Sequence, residues 1–533
     1  MKKGNTLVFT YPDYTTKEVV VDEKTVLNII LASDRVKNIE EVVVTGYTKQ
    51  KKADITGAVS VVDMKDLNKQ GEPNPIKSLQ GRVAGLNIST DGSPSGGNTK
   101  ILIRGISTLK DGNTDPLFVI DGVPTKAGMH ELNPGDIETM QVLKDASSAS
   151  IYGSRAANGV IIITTKKGKK GKMRIDLNYY TAFSQYAKKT PVLNAKQFGQ
   201  VLWQANINDG LNPNNNNLSY SFDWGVQNGI PTLYNSYVPE YLDAAKTIKS
   251  ANTNWYDEVS QTGVANSLDV SASSASDKGS AFFSMGYYDN DGIVKLTNFK
   301  RLSARVNTSY NFFDGKLKIG ENFTYNKTNE LMDPGVLDPA LRALPIIPVH
   351  TVDGIGWGGP IVGMNDRQNP VRLLEYNKDN GYRYQRFFGN VYAELQPVKN
   401  LTLKSSFGVD FSNYYKRMLQ RSYVSGNLHN EKNAVNIDQS ETEKWTWTNT
   451  AQYTAKAGSH HFDILGGMEM YKDTFNNNWL RKEGFLIETP DYMYPEAGTG
   501  DAFNGGSSTY YSLLSYFGKF SYDYDNRYLF SAT

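Results

Sequence analysis

From residue 172 to the end, apolar and polar side chains alternate in segments of roughly ten residues. In RLSARVNTSYNF, Leu302, Ala304, Val306, Thr308, Tyr310 and Phe312 fall on one face of an extended backbone. Arg301, Ser303, Arg305, Asn307, Ser309 and Asn311 fall on the other. LTLKSSFGVDF repeats the pattern with Leu401, Leu403, Phe407, Val409 and Phe411. WTWTNTAQYTA sets Trp445, Trp447, Ala451 and Tyr453 against Thr446, Thr448, Thr450 and Gln452. The connections alternate too. Tight turns are expected at 275–279, 312–316, 396–400, 455–460 and 524–527, and longer loops at 187–262, 289–299, 328–382, 414–440 and 474–510. Short turns on one rim and long loops on the other are the plan of an outer-membrane β-barrel. About eleven strands are expected, the last being YLFSAT. That segment stops inside a strand, and a barrel tolerates no open edge in hydrocarbon. The pattern therefore predicts part of a barrel, in a chain truncated at both ends.

The earlier residues are patterned differently. Residues 57–168 read as a compact mixed segment in which AVSVVD, KILIRGI and PLFVIDGVP are strands, the last ending in an Asp-Gly turn. NPIKSLQGRVAG reads as a short helix with Asn74 as N-cap and Pro75 at its first position. NPGDIETMQVLKD starts another short helix and runs into a strand, and ASSASIYGSRAANG leads to the β-branched run Val160 to Ile163. Upstream, TLVFTY, KEVVV and VLNIILA read as closing strands of a small β-sandwich, too short to bury a core alone. A polar linker follows, and within it stands EEVVVTGY. Its valines favour an extended backbone. No tight turn leads from them into a matching strand, so no hairpin partner is expected. Two readings are open: an edge strand of a neighbouring domain, or a strand offered to another protein through backbone hydrogen bonds.

Composition narrows the function classes. Lys plus Arg number 57 and Asp plus Glu 55, so no basic field points to nucleic acid. The absence of cysteine excludes disulfides, thiolate catalysis and cysteine-based metal sites. No run reaches the roughly 18 apolar residues of a membrane helix, a test that a β-barrel escapes. The 33 tyrosines and 47 glycines suit a tyrosine-rich β protein. MKKGNTLVF has two lysines but no apolar stretch of a secretion signal after them. TTKKGKKGKMR lacks interleaved aromatics and reads as a solvated junction between the mixed segment and the barrel strands, not a nucleic-acid patch. DNDG at 289–292 reads as an Asp-Gly hairpin turn, because its Gly comes too early for a calcium loop. His460 and His461 fall in a tight turn without carboxylates at ligand spacing. No nucleophile elbow or phosphate-binding loop stands out. No motif supplies the paired carboxylates that an all-β glycan hydrolase needs. Trp224, Trp357 and Tyr382 lie in or beside long loops, with Trp357 expected on an exposed glycine-rich stem. There they suit stacking on sugar rings, ordinary loop packing or an interfacial aromatic girdle.

LKDASSASIYGSRAANGVIIITTKKG (143–168), ILIRGIST, PLFVIDGVP and EEVVVTGY together resemble the SusC/RagA family of TonB-dependent outer-membrane transporters. LVFTYPDYTTKEVVV resembles the end of that family's carboxypeptidase-regulatory-like domain, and SLLSYFGKFSYDYDNRYLFSAT a mid-barrel hairpin. The likeness runs through the whole chain. It implies a mainly β fold, about half of a transmembrane antiparallel barrel of the 22-stranded plugged class, with a mixed α/β plug domain inside the lumen. The implied division is 1–34 for the end of the regulatory-like sandwich, 35–56 for a linker with the TonB box, 57–168 for the plug and 169–533 for the first half of the barrel. The implied box is Glu41, Val42, Val43, Val44, Thr45, Gly46 and Tyr47. The implied plug motif is Arg104, Gly105, Asp121, Gly122, Lys144, Asp145, Tyr152, Gly153, Arg155, Asn158 and Gly159. Arg104 is expected to face a carboxylate, with Gly105 allowing close backbone approach. The resemblance implies no enzyme, no cofactor and no metal. It implies import of oligosaccharides or peptides across the bacterial outer membrane. The partners would be TonB with its inner-membrane ExbB/ExbD motor, a SusD-like surface lipoprotein and the surrounding lipid, with no nucleic acid. The alternative is a signalling or adhesion receptor on the same barrel.

Overall fold

The computed structural model describes residues 6–9, 17–20, 29, 42–45, 47–51, 59–64, 72–97, 99–106, 114–126, 128–215, 218–364, 366–525 and 527–533. Two short hairpins come first. β1 (Thr6–Phe9) and β2 (Lys17–Val20) fall in two of the three expected strand runs and pair antiparallel with each other. The third expected run, 26–32, lies outside the described residues apart from Ile29, which is not in a strand. β3 (Val42–Thr45) pairs antiparallel with β4 (Thr48–Lys51), Thr45 facing Thr48 across a two-residue turn. This corrects the expectation of a strand without a hairpin partner. TKQK carries no apolar signal, yet backbone pairing needs none.

The next strands build the plug: β5 (Val59–Asp63), β6 (Leu86–Ser89), β7 (Lys100–Ile103), β8 (Leu117–Ile120), β9 (Val123–Thr125), β10 (Ile137–Leu143) and β11 (Val160–Thr165). Five form one sheet in the order β5-β10-β11-β8-β9, with β8 and β11 parallel, while β6 and β7 form a separate hairpin. The runs LFVI and VIII are buried throughout, as a strand covered on both faces requires. Asp121 and Gly122 make the predicted turn, both at positive φ (48° and 92°). NPIKSLQGRVAG departs from its expected helix. Only a 3-10 turn forms, at Lys77–Leu79. The Asn74 amide accepts from the Ile76 N–H (3.0 Å) and donates to the Gly96 carbonyl (2.9 Å), tying two loops together.

The wall is an antiparallel sheet of eleven strands, numbered here with the loop hairpins that interrupt it. β12 (Gly171–Ser184) is followed by the loop hairpin β13 (Ser221–Gln227) and β14 (Ile230–Tyr237). β15 (Gly263–Ser276), β16 (Gly279–Asp291), β17 (Asn298–Phe312), β18 (Leu317–Leu331), β19 (Tyr382–Val398) and β20 (Leu401–Gln420) continue the wall. A second loop hairpin, β21 (Tyr423–Ser425) and β22 (Leu428–Asn430), precedes β23 (Ala434–Ala457), β24 (His460–Glu483), β25 (Ala502–Tyr524) and β26 (Tyr528–Ala532). Among the described residues β12 and β26 do not pair with each other, so the wall is open. Along β17 the polar face, Arg301, Ser303, Arg305 and Asn307, is buried, while Leu302, Val306, Tyr310 and Phe312 are exposed. Polar inside and apolar outside suits hydrocarbon beyond the wall and a plug within it.

The wall strands run further than the apolar pattern indicates. β20 ends at Gln420 and β23 begins at Ala434; β24 ends at Glu483 and β25 begins at Ala502. The loops there are correspondingly shorter than expected. In these outer ends both faces carry polar residues such as Lys416, Arg417 and Asn476 to Asn478, so alternation fades while the hydrogen-bond ladder continues. DNDG is not the expected turn either: Asp289 to Asp291 complete β16, and the connection follows from Gly292. The longer loops fold on one another around Trp203, Tyr220, Phe222, Trp255, Ile346 and Leu374. Trp224 joins them edge-on to Trp203, and Trp357 is wedged between His350 and Tyr376, not raised on an exposed stem.

Candidate functional site

The plug is held against the concave face of the wall by inward-facing polar residues. On β19, Arg386 alternates onto the inner face and has no exposed side-chain surface. It donates two hydrogen bonds to Asp410 on β20 (2.7 and 2.9 Å), one to Glu131 of the plug (3.1 Å) and one to Thr125 at the end of β9 (3.0 Å). On β17, Arg305 pairs with Asp121 and donates to Thr165 (2.6 Å), while Asn307 donates to the Lys166 carbonyl (2.7 Å). Arg301 donates to the carbonyls of Pro73 (2.9 Å) and His130 (2.7 Å). The Asp-Gly turn is thus a docking point as well as a turn. At the loop end of the lumen, Ser95 donates to Glu330 (2.6 Å), which also accepts from Tyr382.

A further fastening lies on β24. Glu469 is buried and accepts from Arg155 of the plug, from Thr448 (3.1 Å) and from the Tyr47 hydroxyl (2.6 Å). Burial, with Glu469 alongside, holds the Tyr47 phenol well above its ordinary pKa, so it remains a donor. A cavity of about 290 Å³ opens beside it, bordered by Tyr47, Asp121, Glu138, Lys167, Tyr392 and Thr448.

The remaining motif residues mostly shape the plug itself. Arg104 is half exposed and pairs with Asp145, as expected of its charge. Gly105 serves differently from expectation: open space surrounds the place of a side chain, and its φ of +98° is the reason for glycine. Lys144 donates to the Ala84 carbonyl (3.2 Å), Asn158 to the Asp115 carbonyl (3.3 Å), and Tyr152 is buried in the plug core. Gly153 breaks a 3-10 segment at φ +64°. Of the box residues, Val42 to Thr45 form β3, Tyr47 enters the wall contact, and Glu41 and Gly46 lie outside the described residues. Arg386, Asp410, Glu131 and Glu469 were not singled out by sequence. Their one signal is charge on the inward parity of a wall strand, or beside the plug's buried turn.

Two buried groups next to Arg386 titrate unusually. Burial, reinforced by Arg301 and Arg386, lowers His130 to about 4, so it is neutral. Burial raises Glu131 to about 7, because Arg386 is already engaged by Asp410. The folded state keeps a proton on Glu131 that the unfolded chain releases near 4.5. Stability from this group is therefore fully present below 4.5 and declines as pH rises towards about 7. His130, lowered from 6.5 to about 4, contributes the opposite slope, with stability gained as pH rises from about 4 to 6.5, so the two groups offset one another over most of that window. Glu131→Gln should remove the falling component, so the urea midpoint for plug release, read by proteolysis of the full-length protein, should then rise with pH between about 4 and 6.5.

Comparison with known proteins bears on this arrangement. The family described as "TonB-dependent Receptor Plug Domain" matches residues 51–160. The TonB-dependent receptor SusC of Bacteroides thetaiotaomicron is 32% identical over all of this chain and 52% of its own length. The chain is similar along its whole length to the SusC/RagA-like TonB-dependent receptors. TonB-dependent receptor P26 of Formosa agariphila is 29% identical across 99% of the chain and 51% of its own length. The chain thus spans about half the length of these curated relatives. In fold it is similar to the RagAB peptide importer in its "open-open" state, with TM-score 0.73 and 24% identity over 91% of this chain and 55% of that one. The unliganded ferric citrate transporter FecA shares the fold at TM-score 0.54 and 9% identity, over 88% of this chain and 54% of that one. These relatives are receptors and transporters, not enzymes.

Proposed function

We propose that this chain is the box, plug and part of the wall of an outer-membrane importer of bulky nutrients, either oligosaccharides or peptides. TonB, driven by its ExbB/ExbD motor, would grip residues 41–47 by adding a strand to β3, and a SusD-like lipoprotein would cover the loop side. The observation that carries this reading is the position of β5. It is the first plug strand after the box and stands at the sheet edge, paired with β10 alone among the described residues. Tension on the box reaches the Val59–Leu143 pair first and opens the β5–β10 ladder one pair at a time. The strands behind it are anchored to the wall through Asp121, Thr125 and Glu131. A passage would open along the N-terminal part of the plug while the rest stays seated.

Proline at Val43 removes a backbone donor and resists β-ladder pairing. In the full-length protein, Val43→Pro should abolish energised uptake, whereas Val43→Ala should retain most of it. Uptake at the normal rate by the proline variant would exclude strand addition at this site.

A further inference from the structure

Tyr47 occupies the turn between β3 and β4, and its side chain enters a socket made by two other parts of the chain. Its ring stacks on Phe517 of β25 at 4.5 Å and 15°, and lies 5.6 Å from the Tyr152 ring of the plug. Its hydroxyl reaches Glu469 at 2.6 Å. The socket is built to take a ring. Phe517 pairs with Gly467, where a Cβ would come within 2.3 Å of the Phe517 ring, so only glycine lets that ring lie flat. The Glu469 carboxylate is divided: Arg155 takes Oε1, while Tyr47 and Thr448 take Oε2. One buried carboxylate therefore binds the box turn and the YGSRAANG segment of the plug together.

We propose that Tyr47 is a latch, whose seating between Phe517, Tyr152 and Glu469 keeps the β3–β4 hairpin parked against the barrel and out of reach of TonB. The proposal rests on the reading of residues 41–47 as the box. It assigns the hold to the tyrosine after the valines, not to the strand itself. A plug movement that draws Arg155 away leaves Glu469 buried without its cation, an unfavourable state that rehydration relieves. Rehydration opens the same socket and releases Tyr47. Plug displacement and box release then share one carboxylate.

The chain has no cysteine, so one introduced at Lys49 on β4 is a unique probe once any thiol elsewhere in the full-length protein is replaced. Its modification by a bulky maleimide is timed in outer-membrane fragments free of TonB. Tyr47→Ala should speed labelling about tenfold or more, the loss of a charge-assisted hydrogen bond plus a ring stack. Tyr47→Phe, which keeps the stack, should speed it less. Phe517→Ala should act like Tyr47→Ala while leaving the box sequence intact. A heat-modifiable band verifies that each barrel is folded. Unchanged labelling in both Tyr47→Ala and Phe517→Ala overturns the latch. Because the assay uses neither TonB nor transport, its outcome is independent of the proline test. Faster labelling alongside normal uptake by Val43→Pro would keep the latch and remove the box. Unchanged labelling alongside blocked uptake would do the reverse.

Discussion

Arg386→Met is expected to loosen the plug without opening the wall. The guanidinium is enclosed, with two bonds to Asp410 and one each to Glu131 and Thr125. Removing it strands the buried Asp410 carboxylate beside Glu131 at the plug–wall boundary, with no cation for either. Breaking a buried pair in this way costs about 3–5 kcal/mol, mostly the penalty of the charges left behind. The wall strands keep their backbone ladder, so the folded, heat-modifiable band should persist while the plug becomes protease-sensitive at lower urea. The triple change Arg386→Met, Glu131→Gln, Asp410→Asn removes the stranded charges together and should recover most of the loss. A plug as resistant in Arg386→Met as in the parent would show that the fastening carries no stability.

Gly159→Val should be similarly severe for a different reason. Gly159 precedes β11 at φ +88°, where a β-branched residue is a steric outlier. A Cβ there would lie 2.8 Å from Ile103 Cδ1 and 3.1 Å from the Leu143 carbonyl oxygen, which belongs to the neighbouring strand β10. Left-handed backbone strain and overpacking together come to roughly 2–4 kcal/mol. The expected result is lower plug stability in urea, with Gly159→Ala milder than Gly159→Val. Equal midpoints for all three proteins would mean that the plug relaxes around the site.

Several features of the site were legible because they are local. The Asp121–Gly122 turn follows from two residue types that tolerate positive φ between two apolar runs. The charge of Arg104 called for a carboxylate and found Asp145. The hairpin partner of the box was not legible, since β4, TKQK, carries no apolar alternation and ladder pairing needs none. Nor were the full strand lengths, because at 438–441 of β23 and 476–478 of β24 both faces are polar and the alternation breaks. The helix expected from Asn74 stops after one 3-10 turn, with Gly81 and Gly85 at positive φ beyond it, although Asn74 makes its capping contact with the Ile76 N–H.

The sequence by itself determined the period-two wall, its eleven strands, the positions of the tight turns between consecutive wall strands and the central strands of the plug. Each follows from steric and solvation preferences acting over a few neighbouring residues. Only the tertiary structure decided which inward charge meets which plug residue. Alternation gives Arg386 and Glu469 their face but says nothing of their partners. Glu131 lies 255 positions from Arg386, Arg155 lies 314 from Glu469, and Tyr47 lies 422 from the same carboxylate. Such pairs exist because burying a charge without a partner is unfavourable, and the partner is chosen by how the curved wall seats the plug.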